Sequence, residues 1–206
     1  MKMIITVMLV VGALLLGAVG FAYSGIYDVS AASPHSGLAD WFLSRTSDAS
    51  IERRAGSVEV PDLDNAAMIL AGVNDFDSMC TSCHGAPGKN PEAMGQGLNP
   101  SPPDLAEEAA ELSAAELFWI TKNGIKMTGM PAWGVTHDDD AIWPMVAFMK
   151  QCLPELDAPG YQEMLAAAAG HGHHEHDNAA EHAHEEPAET GEHVEHDHGD
   201  HEHDEH

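Results

Sequence analysis

Two cysteines separated by two residues and followed at once by a histidine, Cys80-Thr81-Ser82-Cys83-His84, constrain this 206-residue chain more than any other stretch. Donors packed this closely have three established chemical uses. A structural zinc site needs a second ligand pair at similar spacing, and the one other cysteine, Cys152, stands alone. A thioredoxin-like redox pair needs βαβ surroundings, whereas the flanks here combine helical periodicity with Gly- and Pro-rich loops. The third use is covalent attachment of c-type haem: the thiols of Cys80 and Cys83 add across the vinyl groups, and His84 coordinates the iron as proximal ligand. A chain that carries a rigid planar cofactor folds around it, and that requirement constrains every other segment. Cys152 reads as a small buried residue near a helix end.

The N-terminus points to export. Residues 3–22 contain no charge and follow a lone Lys2. Twenty helical residues rise about 30 Å, the thickness of a bilayer core. A secretory signal has a similar layout, and Gly20-Phe21-Ala22 would serve as its cleavage site, but the apolar run exceeds the usual signal core, which favours an uncleaved anchor. Lys2 on the short side keeps the N-terminus cytoplasmic, so the remainder is expected on the inner membrane with its main domain in the periplasm. Cleavage would leave a soluble periplasmic protein instead. Between 36 and 54, Trp41, Phe42 and Leu43 precede Arg45, Arg53 and Arg54. Such a helix suits a membrane surface, and it equally suits packing against the globular domain.

The expected units are an anchor or signal at 1–25, a neck at 26–61, a globular domain at 62–165 and a tail at 166–206. In the third, apolar residues recur with helical spacing from Ala67 to Met79, with Asp64 or Asn65 placed to cap the start. Gly72 and Phe76 share one face, where a glycine lets a second helix approach closely. From Gly85 to Pro103 the density of Gly and Pro excludes a continuous helix or a central strand. Ser113-Ala114-Ala115-Glu116 is a capping box for a helix reaching Asn123-Gly124. A last helix starts after Thr136, with Asp138, Asp139 and Asp140 favourably placed in its first turn, and stops before Pro154.

Over roughly residues 64–153 the chain resembles the monohaem class I cytochromes c. Gly72 and Phe76 ahead of C-T-S-C-H, the Pro-Pro-Asp-Leu stretch at 102–105, and Gly129-Met130-Pro131 before a C-terminal helix carry the resemblance. It implies an all-α fold whose first and last helices cross near Gly72, with His84 as proximal and Met130 as distal iron ligand. A thioether is a soft neutral donor that favours ferrous iron and closes the sixth position. Met79, Met94, Met127 and Met149 are rivals for that role. Met79 and Met149 read as packing residues, Met127 shares the loop with Met130, and Met94 stands apart.

Charge sets the remaining expectations. The chain carries a formal −26, and residues 62–163 alone hold 16 Asp/Glu against four lysines. This composition argues against nucleic acid and favours redox partners, donor and acceptor, with a basic docking patch. Residues 171–206 hold 12 His and 13 Asp/Glu with no Lys or Arg, a composition expected to be disordered. The alternating imidazoles and carboxylates of His171, His173, His174, His176, His196, His198, His201 and His203 form a ligand supply for a divalent transition metal. Three functions follow. The first is a membrane-attached one-electron carrier, not an enzyme. The second is a haem enzyme or sensor whose sixth ligand is displaceable. The third is a copper-, nickel- or zinc-handling protein with a linked haem redox step.

Overall fold

A computed structural model describes residues 1–169, and the tail histidines lie outside the described residues. Nine α-helices follow one another in the described part: α1 (Lys2–Tyr23), α2 (Gly37–Ala55), α3 (Ala66–Met79), α4 (Thr81–His84), α5 (Ala93–Gln96), α6 (Leu105–Glu111), α7 (Ala114–Asn123), α8 (Asp139–Gln151) and α9 (Ala158–Ala169). Short 3-10 turns occupy Trp133–Val135 and Leu153–Glu155. No strand occurs among the described residues, so the fold is all-α as expected.

Five helices, α2, α3, α6, α7 and α8, begin where a side chain accepts from orphan N–H groups. Asn65 Oδ1 accepts from Ala67 and Met68 at the start of α3. The Ser113–Glu116 capping box opens α7, with Glu116 accepting from both the backbone N–H and the hydroxyl of Ser113. That pair holds the Glu116 carboxyl below its usual range. Asp138 caps α8, and Asp139 and Asp140 sit in the first turn, where the helix dipole favours carboxylates.

The frame of the domain is the crossing of α3 with α8. At Gly72 a Cβ would stand 1.9 Å from the Pro144 carbonyl oxygen and 2.3 Å from its carbon, so the two backbones are in direct contact. Pro144 lies inside α8, past its first turn. Proline gives no N–H to the helix, and here its carbonyl side faces the glycine of the neighbour. One turn beyond Gly72, Phe76 meets Phe148 edge-on with ring centroids 5.1 Å apart. Both are completely buried, as is Tyr161 of α9, whose ring lies 6.3 Å from each.

α9 is a helix that residue order does not announce. It packs against α3 and places the Tyr161 hydroxyl 2.8 Å from Asp77 Oδ1, a bond across 84 positions. Burial first, and that hydrogen bond second, push the Tyr161 hydroxyl far above the ordinary phenol range.

α1 contains no buried residue and is long and apolar enough to cross a membrane. The second half of α2 packs on the domain, with Ile51 and Ala55 buried. Val58–Pro61 has no regular structure, as fits a segment running into a proline, which disfavours helix in the residue before it.

Candidate functional site

The end of α3 delivers the two-cysteine motif. Cys80 is at once the C-cap of α3 and the N-cap of α4, so the single turn Thr81–His84 is a direct continuation of the α3–α8 frame. Thr81 is buried, its hydroxyl donating to the Asp77 carbonyl at 2.7 Å and accepting from Lys89 Nζ at 2.7 Å. Lys89 Nζ also lies 3.8 Å from the Asp77 carboxylate that receives Tyr161. The motif is therefore held from α3, from the loop after it and from α9. On its other flank, Gly95 of α5 rests on the Cys83 backbone: a Cβ there would lie 2.3 Å from the Cys83 carbonyl oxygen.

His84 is oriented by the Pro-rich loop. Its Nδ1 lies 2.9 Å from the Pro103 carbonyl oxygen. A carbonyl only accepts, so Nδ1 carries the proton and Nε2 keeps its lone pair, the tautomer a metal-binding imidazole requires. Cys80 is buried, and burial, reinforced by Asp75 and Cys83, pushes its thiol up to about 12. A thiol in that state is neutral and suits an apolar wall.

Beside the motif lies a cleft of about 340 Å³. Cys80, Cys83 and His84 line it, together with Met130 from the loop after α7. Much of the remaining wall is apolar, with Leu98, Pro102, Leu105, Leu117, Ile120 and Pro131 among its residues. These donors and this wall fit a haem: two thiols for its vinyl groups, an imidazole with a free Nε2, a thioether, and hydrocarbon for the ring faces. A more open cleft of about 520 Å³ between α2 and α7 is lined by Arg53, Arg54 and Lys122 but by no thiol, imidazole or thioether, so it has nothing with which to hold haem covalently.

The structure separates the methionines. Met130 is half-buried at the cleft, and Met79, Met94 and Met149 also line it. Met149 is 3 % exposed within the core, whereas Met94 is 69 % exposed at the rim. Met127 is absent from the cleft wall and 89 % exposed, with a left-handed φ of 64° that turns it into solvent. The loop is self-contained. Thr128 Oγ1 donates to the Ile125 carbonyl at 2.8 Å and accepts from the Met130 N–H at 3.1 Å. Gly124, at φ 64°, lets the segment fold back so closely that a Cβ would sit 2.7 Å from the Met130 and Pro131 oxygens.

Residues 67–149 match the family described as cytochrome C oxidase, cbb3-type, subunit III. This segment is a monohaem cytochrome c domain. The match begins in α3 and ends in α8, so α1, α2 and α9 lie outside it. No curated protein matches the chain. A cytochrome c domain implies covalently bound haem c and supports haem-based electron transfer by this segment.

Two contributors to the site are not foreseeable from the sequence: the Pro103 carbonyl and Glu108. Residue order marks Pro103 as part of the Pro-Pro-Asp-Leu stretch, but no local pattern points to its carbonyl as the partner of an imidazole 19 positions earlier. Glu108 of α6 lines the cleft. Burial first, then Glu111, Asp48 and Glu107, hold its carboxyl above the usual carboxylate range.

Proposed function

We propose that this protein is a membrane-attached one-electron carrier of the periplasm, with haem c bound through Cys80 and Cys83 and ligated by His84 and Met130. The observation that carries the proposal is the convergence of two thiols, a tautomer-locked imidazole and a half-buried thioether on one apolar cleft. Haem c, when bound, supplies a one-electron ferric/ferrous couple. The residues of the chain do the rest. His84 offers Nε2 because Pro103 holds Nδ1–H. Met130 would offer the bound iron a neutral soft donor, which would favour the ferrous state and shut out exogenous ligands. Leu117, Ile120 and the Pro-rich loop keep water from the ring, which limits reorganisation during transfer. α1 anchors the chain, and the acidic domain favours donor and acceptor proteins with basic docking patches.

Removal of Met130 tests the ligand assignment. In Met130→Ala the sixth position opens, carbon monoxide binds the ferrous protein and the reduction potential falls. Met127→Ala and Met94→Ala leave both properties unchanged. Optical spectra with and without carbon monoxide, and a redox titration, read these outcomes. Carbon monoxide binding by the unsubstituted protein would instead support a sensor or enzyme with a displaceable ligand. Haem that extracts completely into acid-acetone would refute attachment through the cysteines.

The tail contributes what its composition supports. Residues 171–206 take up borderline divalent metals through neutral imidazoles, so uptake weakens as histidines protonate below about pH 6.5. A zinc titration of the full chain against one truncated after residue 170, at two pH values, tests that statement.

A further inference from the structure

α2 is divided along its length. Its second half packs on α7 and the domain, with Ile51 and Ala55 buried and Ser47 and Ser50 partly covered. Its first half exposes large apolar side chains: Leu38 is 75 % exposed, Trp41 59 % and Phe42 61 %. At 3.6 residues per turn, Leu38, Trp41, Phe42 and Arg45 share roughly 100° of helix surface, and Ser47, Ser50 and Ile51 lie on the other side. Asp40, the one carboxylate between residues 37 and 47, also falls on the other side. A chain with 34 acidic and 8 basic residues thus presents an outward stripe of three large apolar groups and one cation, with no carboxylate among them.

Position along the chain decides what covers this stripe. Residues 24–36 separate the end of α1 from the start of α2, at most about 45 Å of extended chain. The free length is shorter still, because Asn99 Nδ2 donates to the Ser33 carbonyl at 2.8 Å. Only about 30 Å of chain then joins the end of α1 to a point fixed on the domain. Exposed aromatics stand at the end of α1, Tyr23, and within this link, Tyr27. Aromatic residues gather at the headgroup level, and arginine complements anionic lipid.

We propose that the first half of α2 lies on an anionic bilayer surface and sets the orientation of the cytochrome c domain to the membrane, an inference that rests on the membrane attachment proposed above. The stripe supplies one fixed line on the bilayer. The packed second half of α2 carries that orientation into the domain, and the Ser33–Asn99 bond adds a second tie. Asn99 stands between Leu98 and Pro100, both at the cleft wall, so the second tie reaches the loop beside the haem. A redox partner then meets the cleft at a constant height and angle.

Hydroxyl-radical footprinting of the full-length holoprotein in lipid nanodiscs tests this, with one copy per disc and discs containing phosphatidylglycerol. Met127 and Val135, 89 % and 83 % exposed, serve as references on the same molecule. After correction for intrinsic reactivity, Leu38, Trp41 and Phe42 should label about fivefold less than those references, and Arg45→Glu should restore most of the labelling. A stripe that labels as fully as Met127 overturns the proposal and leaves membrane attachment standing. Protection seen only with two copies per disc overturns it in favour of self-association. Failure of the holoprotein to co-elute with the discs overturns the attachment itself, and this inference with it.

Discussion

The two candidate iron ligands are held in different ways. His84 belongs to a segment tied to four parts of the chain: α3 through Thr81 and Asp77, α5 through Gly95, α9 through Tyr161, and the Pro-rich loop through Pro103. Met130 sits on a loop whose hydrogen bonds run among Ile125, Thr128 and Met130 themselves, seated on the end of α7 at Gly124. The first arrangement spreads the load over the whole domain. The second concentrates it on one glycine and one threonine. The His84 side should therefore fail only when the fold fails, whereas the Met130 side should yield locally while the fold survives.

The largest effect is expected where the frame beneath His84 is attacked. Gly72→Val places side-chain atoms where the Pro144 carbonyl already stands, so α3 and α8 must separate. Overpacking costs about 1–3 kcal/mol and occasionally more, and contact with rigid backbone puts this site at the upper end. Thermal unfolding of the holoprotein should show a fall of many degrees with reduced haem incorporation. An unchanged melting temperature would mean that the helices do not cross at this point.

Next comes Gly124→Ala. A φ of 64° with extended ψ is a region almost reserved for glycine, and its occupation by another residue costs about 1–3 kcal/mol. The added Cβ also meets the Met130 and Pro131 oxygens. The domain should remain folded while a fraction of molecules gain carbon monoxide binding. If the variant unfolds without any change in ligand binding, the Met130 loop is not a unit separable from the fold.

Tyr161→Phe probes the outermost tie of the His84 side. The ring packing remains and only the hydroxyl bond to Asp77 is lost, about 1.5 kcal/mol, the low end for a bond to a charged group because the carboxylate is partly exposed. Because the other ties persist, the spectrum and potential should barely move. A marked shift in potential would show that α9 acts on His84 more directly.

The smallest effect is expected at Glu108. Its folded-state pKa is raised, so the stability linked to its proton is full below the unfolded value near pH 4 and is lost as pH rises through the raised one. The carboxylate is therefore slightly unfavourable at neutral pH. Glu108→Gln should stabilise the protein at pH 7 by only about a few tenths of a kcal/mol after solvent screening, and not at pH 4. It should also raise the reduction potential, since it removes a negative charge from the cleft wall. A pH-independent change in melting temperature would contradict this sign.

The contrast between the two sides also explains what is legible in residue order. Features that depend on near neighbours can be read there directly. Cys80, Cys83 and His84 lie within one turn, the periodicity of α3 places Gly72 and Phe76 on one face, and the capping box at Ser113 is a four-residue pattern. α1 is apparent from length and composition alone. These follow from covalent spacing and helical period, which no distant segment can alter.

Tertiary structure alone decided the features that join remote segments. The Gly129-Met130-Pro131 resemblance already favours Met130 over Met127, which has the same side chain three residues away, but it is the packing of Gly124 against the Met130–Pro131 backbone that brings one to the cleft and leaves the other in solvent. The Pro103 carbonyl could not be matched to His84 from order, nor Tyr161 to Asp77, nor Asn99 to Ser33. Local propensity chooses among backbone conformations a few residues at a time, whereas these partners are chosen when the loops close around the α3–α8 crossing, and many carbonyls, carboxylates and hydroxyls were chemically equal candidates until then.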